Sequence, residues 1–307
     1  MKLRNIILVH LFLLFFINNS NAQFINITAV EEVIRADSLF KIKNYKRSIK
    51  NYQQAVKRDF FPKSALFEMI AKSFHYSFEK DSALFYMAKS IASGKINFEG
   101  DTMINNILLH DTSGNLIKKM EENEEEFFNS EKYLVYSDIS DSLVKRKKLD
   151  QKYRFGKKGK KTKEEWNEQK NIDRNNQIFL TEIIMRIGKW PGRKEVGREA
   201  ERVAFLIAQH SEDSIFQLQC LKLLKEEVLS NNMSLGNYGL LVDRYLLITK
   251  GFQCYGTQLE SVEKDGKKIA VVKGRLFNKK YVNTLRLYFE LPLLSFYLKD
   301  MTDMYNK

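Results

Sequence analysis

Apolar residues recur at helical spacing through most of the chain. Val33, Ala36, Leu39 and Phe40 fall on one stripe, and Ile49, Tyr52, Ala55 and Val56 on the next, which predicts a pair of helices closed by Pro62. The same positions return 35 residues later: Ala71 for Ala36, Ala83 for Ser48, Met87 for Tyr52, Ser90 for Ala55 and Ile91 for Val56. A second helical hairpin is therefore predicted within residues 29–97. Residues 101–145 supply a third, irregular helical layer, or else the C-terminal region packs against the open end. Beyond Asn171 the stripes are regular again, at Ile178 to Ile187, Val203 to Ile207, Ile215 to Val228 and Tyr238 to Leu247. The period then changes. Gln253 to Val262 and Lys268 to Val272 flank Asp265-Gly266, a strong hairpin turn signal. From Asn278 to Met301 the spacing is helical once more, interrupted at Pro292. The expected fold is mainly α: helical hairpins first, then a helical domain with an inserted β-hairpin.

Small residues at Ala36, Ser48 and Ala55 sit where two helices must approach closely. Together with the 35-residue offset they make residues 24–98 resemble tetratricopeptide repeats, whose usual period is 34. The resemblance implies a protein partner for the helical repeats. The sequence divides into a leader (1–22), these repeats (24–98), a charged helical connector (99–170) and a C-terminal domain (171–307).

The leader is read from its own pattern. Lys2 and Arg4 precede the apolar run Ile6 to Ile17, and Ser20-Asn21-Ala22 places small residues at a cleavage site before Gln23. A bilayer span needs about 20 apolar residues, so this run is short for an anchor, and no later stretch is long and apolar enough to span. No cysteine stands near the cleavage site to carry a lipid. The expectation is a periplasmic or secreted protein.

The net charge of +13 invites a nucleic-acid reading, but its distribution argues against one. Between Lys145 and Lys163 eleven cations face one acid, Asp150, which leaves the remaining mature chain near neutral. A nucleic-acid binder spreads its cations over a folded face. This run, with Gly156 and Gly159, is expected to be a solvated loop, which the six glutamates between Glu121 and Glu131 could neutralise. Two cysteines, Cys220 and Cys254, either form one disulfide in an oxidising compartment or remain buried thiols.

Familiar catalytic motifs are missing. Gly156 to Thr162 has two residues between its glycines where a phosphate loop needs four. No Cys-His pair stands at ligand spacing, and neither a metal nor a cofactor is expected. A polar set in the C-terminal half remains. Gln209-His210 is followed by Glu212 and Asp213; an acid here could orient the imidazole, or Ser211 or Asp213 could cap the next helix. Asp243-Arg244 interrupts an apolar stretch, and an unpaired buried charge is very costly, so each needs a partner. Gln253, Tyr255 and Thr257 would share one face of a strand, with Gly256 permitting a bulge and Gln258 following.

Those residues carry a second resemblance. Asp173 and Asn176, Trp190-Pro191, Val196-Gly197, Gln209-His210, Asp243-Arg244, Gln253 with Tyr255-Gly256-Thr257-Gln258, and Arg286 follow the order of an uncharacterised bacterial domain family of unknown function. Lys189 before Trp190 and Glu212 after Gln209-His210 depart from its pattern. The resemblance groups the residues without naming an activity. Three readings follow. In the first, His210, Arg244, Gln253, Tyr255, Thr257 and Gln258 bind a polar, anionic small ligand. In the second, a cell-envelope hydrolase uses His210 as general base, with Asp243 or Glu212 as its orienting partner. In the third, the set is a structural hydrogen-bond network.

Overall fold

The computed structural model describes residues 26–93, 101–129, 134–154 and 162–306. The leader at 1–22, its junction with Gln23 and the glycine-containing part of the basic run at 155–161 lie outside the described residues. The fold is mainly α, and the chain forms two compact units.

The N-terminal unit groups Gln23–Asn129 with Asn283–Leu291. Helices α1 (Ile27–Lys41) and α2 (Tyr45–Lys57) form one hairpin, and α3 (Lys63–Tyr76) and α4 (Lys80–Ala92) a second. Asn26 and Asn44 cap α1 and α2 by accepting backbone N–H groups of Ala29 and Arg47. The small residues at the repeat positions do what their size permits. Ala36, Ala55, Ala71 and Ala83 are wholly buried, and the Ser48 and Ser90 hydroxyls donate to the carbonyls of Ala36 and Ser64 across each hairpin, both at 2.9 Å. Helices α5 (Thr102–Leu108) and α6 (Asn115–Asn129) extend the same core, in which Ile104, Ile107 and Leu108 join Ala71, Met87 and Ile91. A segment from far down the chain completes the unit: Tyr288 donates its hydroxyl to Asp37 at 2.8 Å, beside Tyr52, which donates to the same oxygen at 2.5 Å.

The C-terminal unit comprises residues 130–282 and 292–307. Helix α7 (Ser137–Gln151) packs with α8 (Lys163–Ile187) and α10 (Arg198–His210). The one-turn helix α9 (Arg193–Val196) lies in the Trp190-Pro191 connection. Helices α11 (Ser214–Leu229) and α12 (Leu235–Lys250) pack on each other, and α12 also meets α10. A Thr162/Glu165 capping box starts α8, and left-handed Gly188 ends it. Strands β2 (Leu259–Lys264) and β3 (Lys267–Val272) pair antiparallel through Asp265-Gly266, where both residues have positive φ as this turn requires. Helix α13 (Val282–Tyr288) leads out of the unit, and α14 (Leu294–Tyr305) returns to cover β3.

Two expectations need correction. The basic run is not all loop: residues 145–151 belong to α7, because Ile139, Leu143 and Asp150 turn inward while Lys145, Lys147 and Lys148 are exposed and Arg146 donates to Asn176 of α8. The first hairpin strand does not start at Gln253. Phe252–Gln253 is a separate short strand, β1, paired parallel with β4 (Arg275–Leu276), and residues 254–258 leave strand geometry altogether. Cys220 and Cys254 are free, buried thiols. Among the described residues no helix is long and apolar enough to cross a membrane.

Candidate functional site

The loop after β1 is organised around one carboxylate. Asp243, on the buried face of α12, has no exposed surface. Its Oδ1 accepts the backbone N–H groups of Cys254 at 2.7 Å and Tyr255 at 3.1 Å. Its Oδ2 accepts the N–H of Thr257 at 2.9 Å and the Thr257 hydroxyl at 3.0 Å. These donors replace the strand neighbour that the segment lacks. Burial pushes the Asp243 carboxyl up to about 6 against the pull of its donors. Gly256 makes the loop possible: its φ is +66°, and an added Cβ would lie 3.1 Å from Leu276 and 3.3 Å from Leu294.

Two glutamines close the loop. Gln253 behaves like a paired backbone unit, accepting from Gln258 N–H at 2.7 Å and donating to the carbonyls of Gln258 at 2.9 Å and Lys273 at 2.5 Å. The Gln258 amide donates to the Leu240 carbonyl and to Thr257 Oγ1, both at 3.1 Å, and accepts from Gln209 at 3.1 Å. Tyr255 is buried, with its phenol pushed well above the ordinary value by desolvation. Gln253, Thr257 and Gln258 thus spend their side-chain hydrogen bonds within the loop and on the residues that hold it, Gln209, Leu240, Asp243 and Lys273. These residues share no strand face; they wrap Asp243.

His210 lies at the C-terminal end of α10 and faces a different acid from those the sequence suggested. Asp150 of α7 meets His210 Nδ1 with its two carboxylate oxygens at 2.9 and 3.0 Å. Asp243 is committed to its loop. Glu212 is exposed, 3.7 Å from Lys170. Asp213 caps α11 by accepting from Ile215 and Phe216. Burial would raise the Asp150 carboxyl, but the hydrogen bond and charge of His210, with the charge of Arg154, hold it below its ordinary value. No other partner of His210 is found among the described residues, and Asp150 orients the ring through Nδ1.

Around this pair the charges continue. Arg154 donates to the Asp150 carbonyl at 3.0 Å and pairs with Asp173 of α8. Gln169 donates to the same Asp173 oxygen at 2.9 Å. Arg244 of α12 lies within the field of Arg154, Asp173 and Glu212. It is largely buried, and its Nε is shielded from solvent without an acceptor. Among the described residues it makes neither a hydrogen bond nor an ion pair. Burial lowers its pKa, and the neighbouring Arg154 charge adds to that effect. The cluster therefore joins Asp150 and His210 from two helix ends, Asp173 and Arg244 from the middle of two further helices, and Arg154 from a turn. Asp150 and Arg154 were legible only as members of a charge run.

Other features stand apart. A surface cavity of about 460 Å³ lies at the opposite end of α10, between Ser140, Asp141 and Val144 of α7 and Gly197 to Ala200. Arg286 is buried within the segment that belongs to the N-terminal unit. Among the described residues no group of three His, Cys, Asp or Glu side chains is arranged to hold a metal ion. No curated protein and no solved structure matches the chain. A family model matches residues 155–307, and through this C-terminal segment the chain belongs to a family of unknown function (DUF6624).

Proposed function

We propose that the C-terminal unit binds a small anion, bearing a carboxylate or phosphate group, at the Asp150–His210–Arg154–Arg244 cluster. One observation carries this reading: Arg244 is a largely buried cation with no hydrogen bond or ion pair among the described residues. Desolvating a charge without compensation is costly, and a guanidinium offers a planar fork of donors matched to a carboxylate or phosphate. His210 adds an imidazole whose orientation Asp150 fixes. The loop of Gln253, Tyr255, Thr257 and Gln258 serves as scaffold, holding α12 through Asp243 so that Arg244 keeps its place. Thermal unfolding in sodium phosphate or sodium citrate, against chloride at equal ionic strength, tests the reading. The melting temperature should rise to saturation in the wild type and stay flat in Arg244→Gln. An equal rise in both proteins, or none in either, overturns it.

The Asp150–His210 pair also favours a second reading, a hydrolase in which His210 takes a proton from water beside the bound anion. In that case His210→Ala would abolish turnover of a phosphate or carboxylate ester while anion binding persisted. The chain is further proposed to be exported, with helices α1 to α4 as tetratricopeptide-like repeats. The leader pattern and the 35-residue offset support these two statements. N-terminal sequencing of native protein should begin at Gln23, and recovery of Met1 would refute export by cleavage.

A further inference from the structure

The N-terminal unit exposes large apolar side chains in one place. Ile42, Tyr76, Phe78, Leu109 and Ile117 all lie in, or within three residues of, the loops joining α1 to α2, α3 to α4 and α5 to α6; Phe85 and Leu287 are the other exposed large apolar residues among those described in this unit. The three loops lie at one end of the stacked hairpins. Tyr45 and Tyr76 stack at 5.0 Å between ring centroids, which joins the first loop to the second. Phe74 and Leu116 pack on the core that contains Leu108, which joins the second to the third. Ile42, Phe78 and Leu109 project from these loops with 72%, 91% and 78% of their surface exposed.

Phe78 is disfavoured twice. It exposes an aromatic ring to water, and its φ of +62° is a left-handed conformation that glycine or asparagine adopts far more readily. The same loop position one repeat earlier is Lys43, with φ +61°. Charge accompanies the apolar tips. From Lys41 to Lys50 the sequence holds five cations and no acid. Lys43, Lys46 and Arg47 are exposed in the first loop and the first turn of α2, and Lys50 follows one turn later. Glu79 and Asp81 flank the second loop and Asp111 the third, so the basic end lies at the first loop.

We propose that this end of the N-terminal unit docks on an anionic lipid surface. Ile42, Phe78 and Leu109 each stand in a different loop, so the apolar groups are separate projections. A fluid bilayer accepts isolated projecting apolar groups, and its anionic headgroups attract adjacent lysines and arginines. The surface lies within the N-terminal unit, and the proposal is independent of anion binding at Arg244.

Co-sedimentation of the chain from Gln23 onward with phosphatidylglycerol/phosphatidylcholine vesicles tests it, with pure phosphatidylcholine vesicles as the reference. Binding should require phosphatidylglycerol and weaken with salt. The triple variant Ile42→Ser/Phe78→Ser/Leu109→Ser and the charge variant Lys43→Glu/Lys46→Glu/Arg47→Glu should each bind at least about tenfold more weakly. Both should unfold at the wild-type temperature, because the altered side chains are exposed. Failure of the wild type to bind, or unchanged binding by the triple variant, overturns the proposal. So does loss, in the triple variant, of a purified protein partner that the wild type retains without binding vesicles. A phosphate-induced rise in melting temperature that survives in the triple variant would show that the Arg244 site is intact whichever way the vesicle result falls.

Discussion

Replacing Arg244 by glutamine removes the charge and keeps most of the aliphatic stem. In a fold where Arg244 is paired, this change strands the partner and destabilises by about 3–5 kcal/mol. Among the described residues it has no such partner: Arg154 is of like charge, while Asp173 is held by Arg154 and Gln169 and Glu212 stands at the surface near Lys170. The change then deletes a shielded donor without an acceptor, worth about 1–3 kcal/mol, and sacrifices packing of about one methylene, roughly 0.8 kcal/mol. The expected net effect is a gain of about 1 kcal/mol, or about 2–4 °C in melting temperature for a chain of this size. Urea unfolding in chloride buffer reads it directly. In saturating phosphate only the wild type gains stability, so the ranking should narrow or invert. A loss of 3 kcal/mol or more in chloride would mean that Arg244 is paired in solution, and the argument for an anion site would fall with it.

The neighbouring residue should behave in the opposite way. Asp243→Asn turns an amide toward the donors that its oxygens now accept, and should destabilise by about 3 kcal/mol, measured by the same unfolding. A loss below about 1 kcal/mol would deny the loop its anchor. Asp37 is buried with its carboxyl pushed from 3.8 up to about 6, chiefly by desolvation, so the folded chain holds that proton more tightly than the unfolded chain. Its contribution is full below pH 4 and is lost as pH rises through 6, a change of about 3 kcal/mol relative to Asp37→Asn. Stability curves of the two proteins that run parallel between pH 4 and 7 would refute this. Ala55→Leu overpacks a wholly buried helix contact and should cost about 1–3 kcal/mol; no change in the unfolding midpoint would place Ala55 at the surface.

Helices were legible wherever a stripe had to be buried. The repeat positions Ala36, Ser48, Tyr52 and Ala55, and their counterparts 35 residues on, all turned inward because their sizes fit only a close helix contact. Charge density misled at residues 145–151, since a helix needs only one inward face and Ile139, Leu143 and Asp150 suffice for it. The strand expected from Gln253 failed for another reason. Alternation records which side chains are polar, not what their backbone bonds to, and the donors of Cys254, Tyr255 and Thr257 go to a carboxylate eleven or more residues upstream. Two partnerships lay beyond any local pattern. Asp150 reaches His210 across 60 residues, and Tyr288 reaches Asp37 across 251. The sole acid in the basic run was the available signal for the first; nothing local marked the second.

Asp243 and Arg244 present the physical problem that the sequence posed. Adjacent helix residues point about 100° apart, so two opposite charges set side by side in an apolar helix cannot neutralise each other. The fold treats them unequally. Asp243 receives three backbone N–H groups and a hydroxyl, a full set of donors built from a loop that needs left-handed Gly256 to form. Among the described residues Arg244 receives nothing comparable, although the charges of Asp173 and Glu212 act on it. Asp173 is instead committed to Arg154, and Glu212 remains at the surface. Compensation for the carboxylate is internal and complete. Among the described residues no acceptor compensates the guanidinium, and Asp150 orients the His210 imidazole through Nδ1. An anion bound at Arg244, as proposed above, would close the end that the described residues leave open.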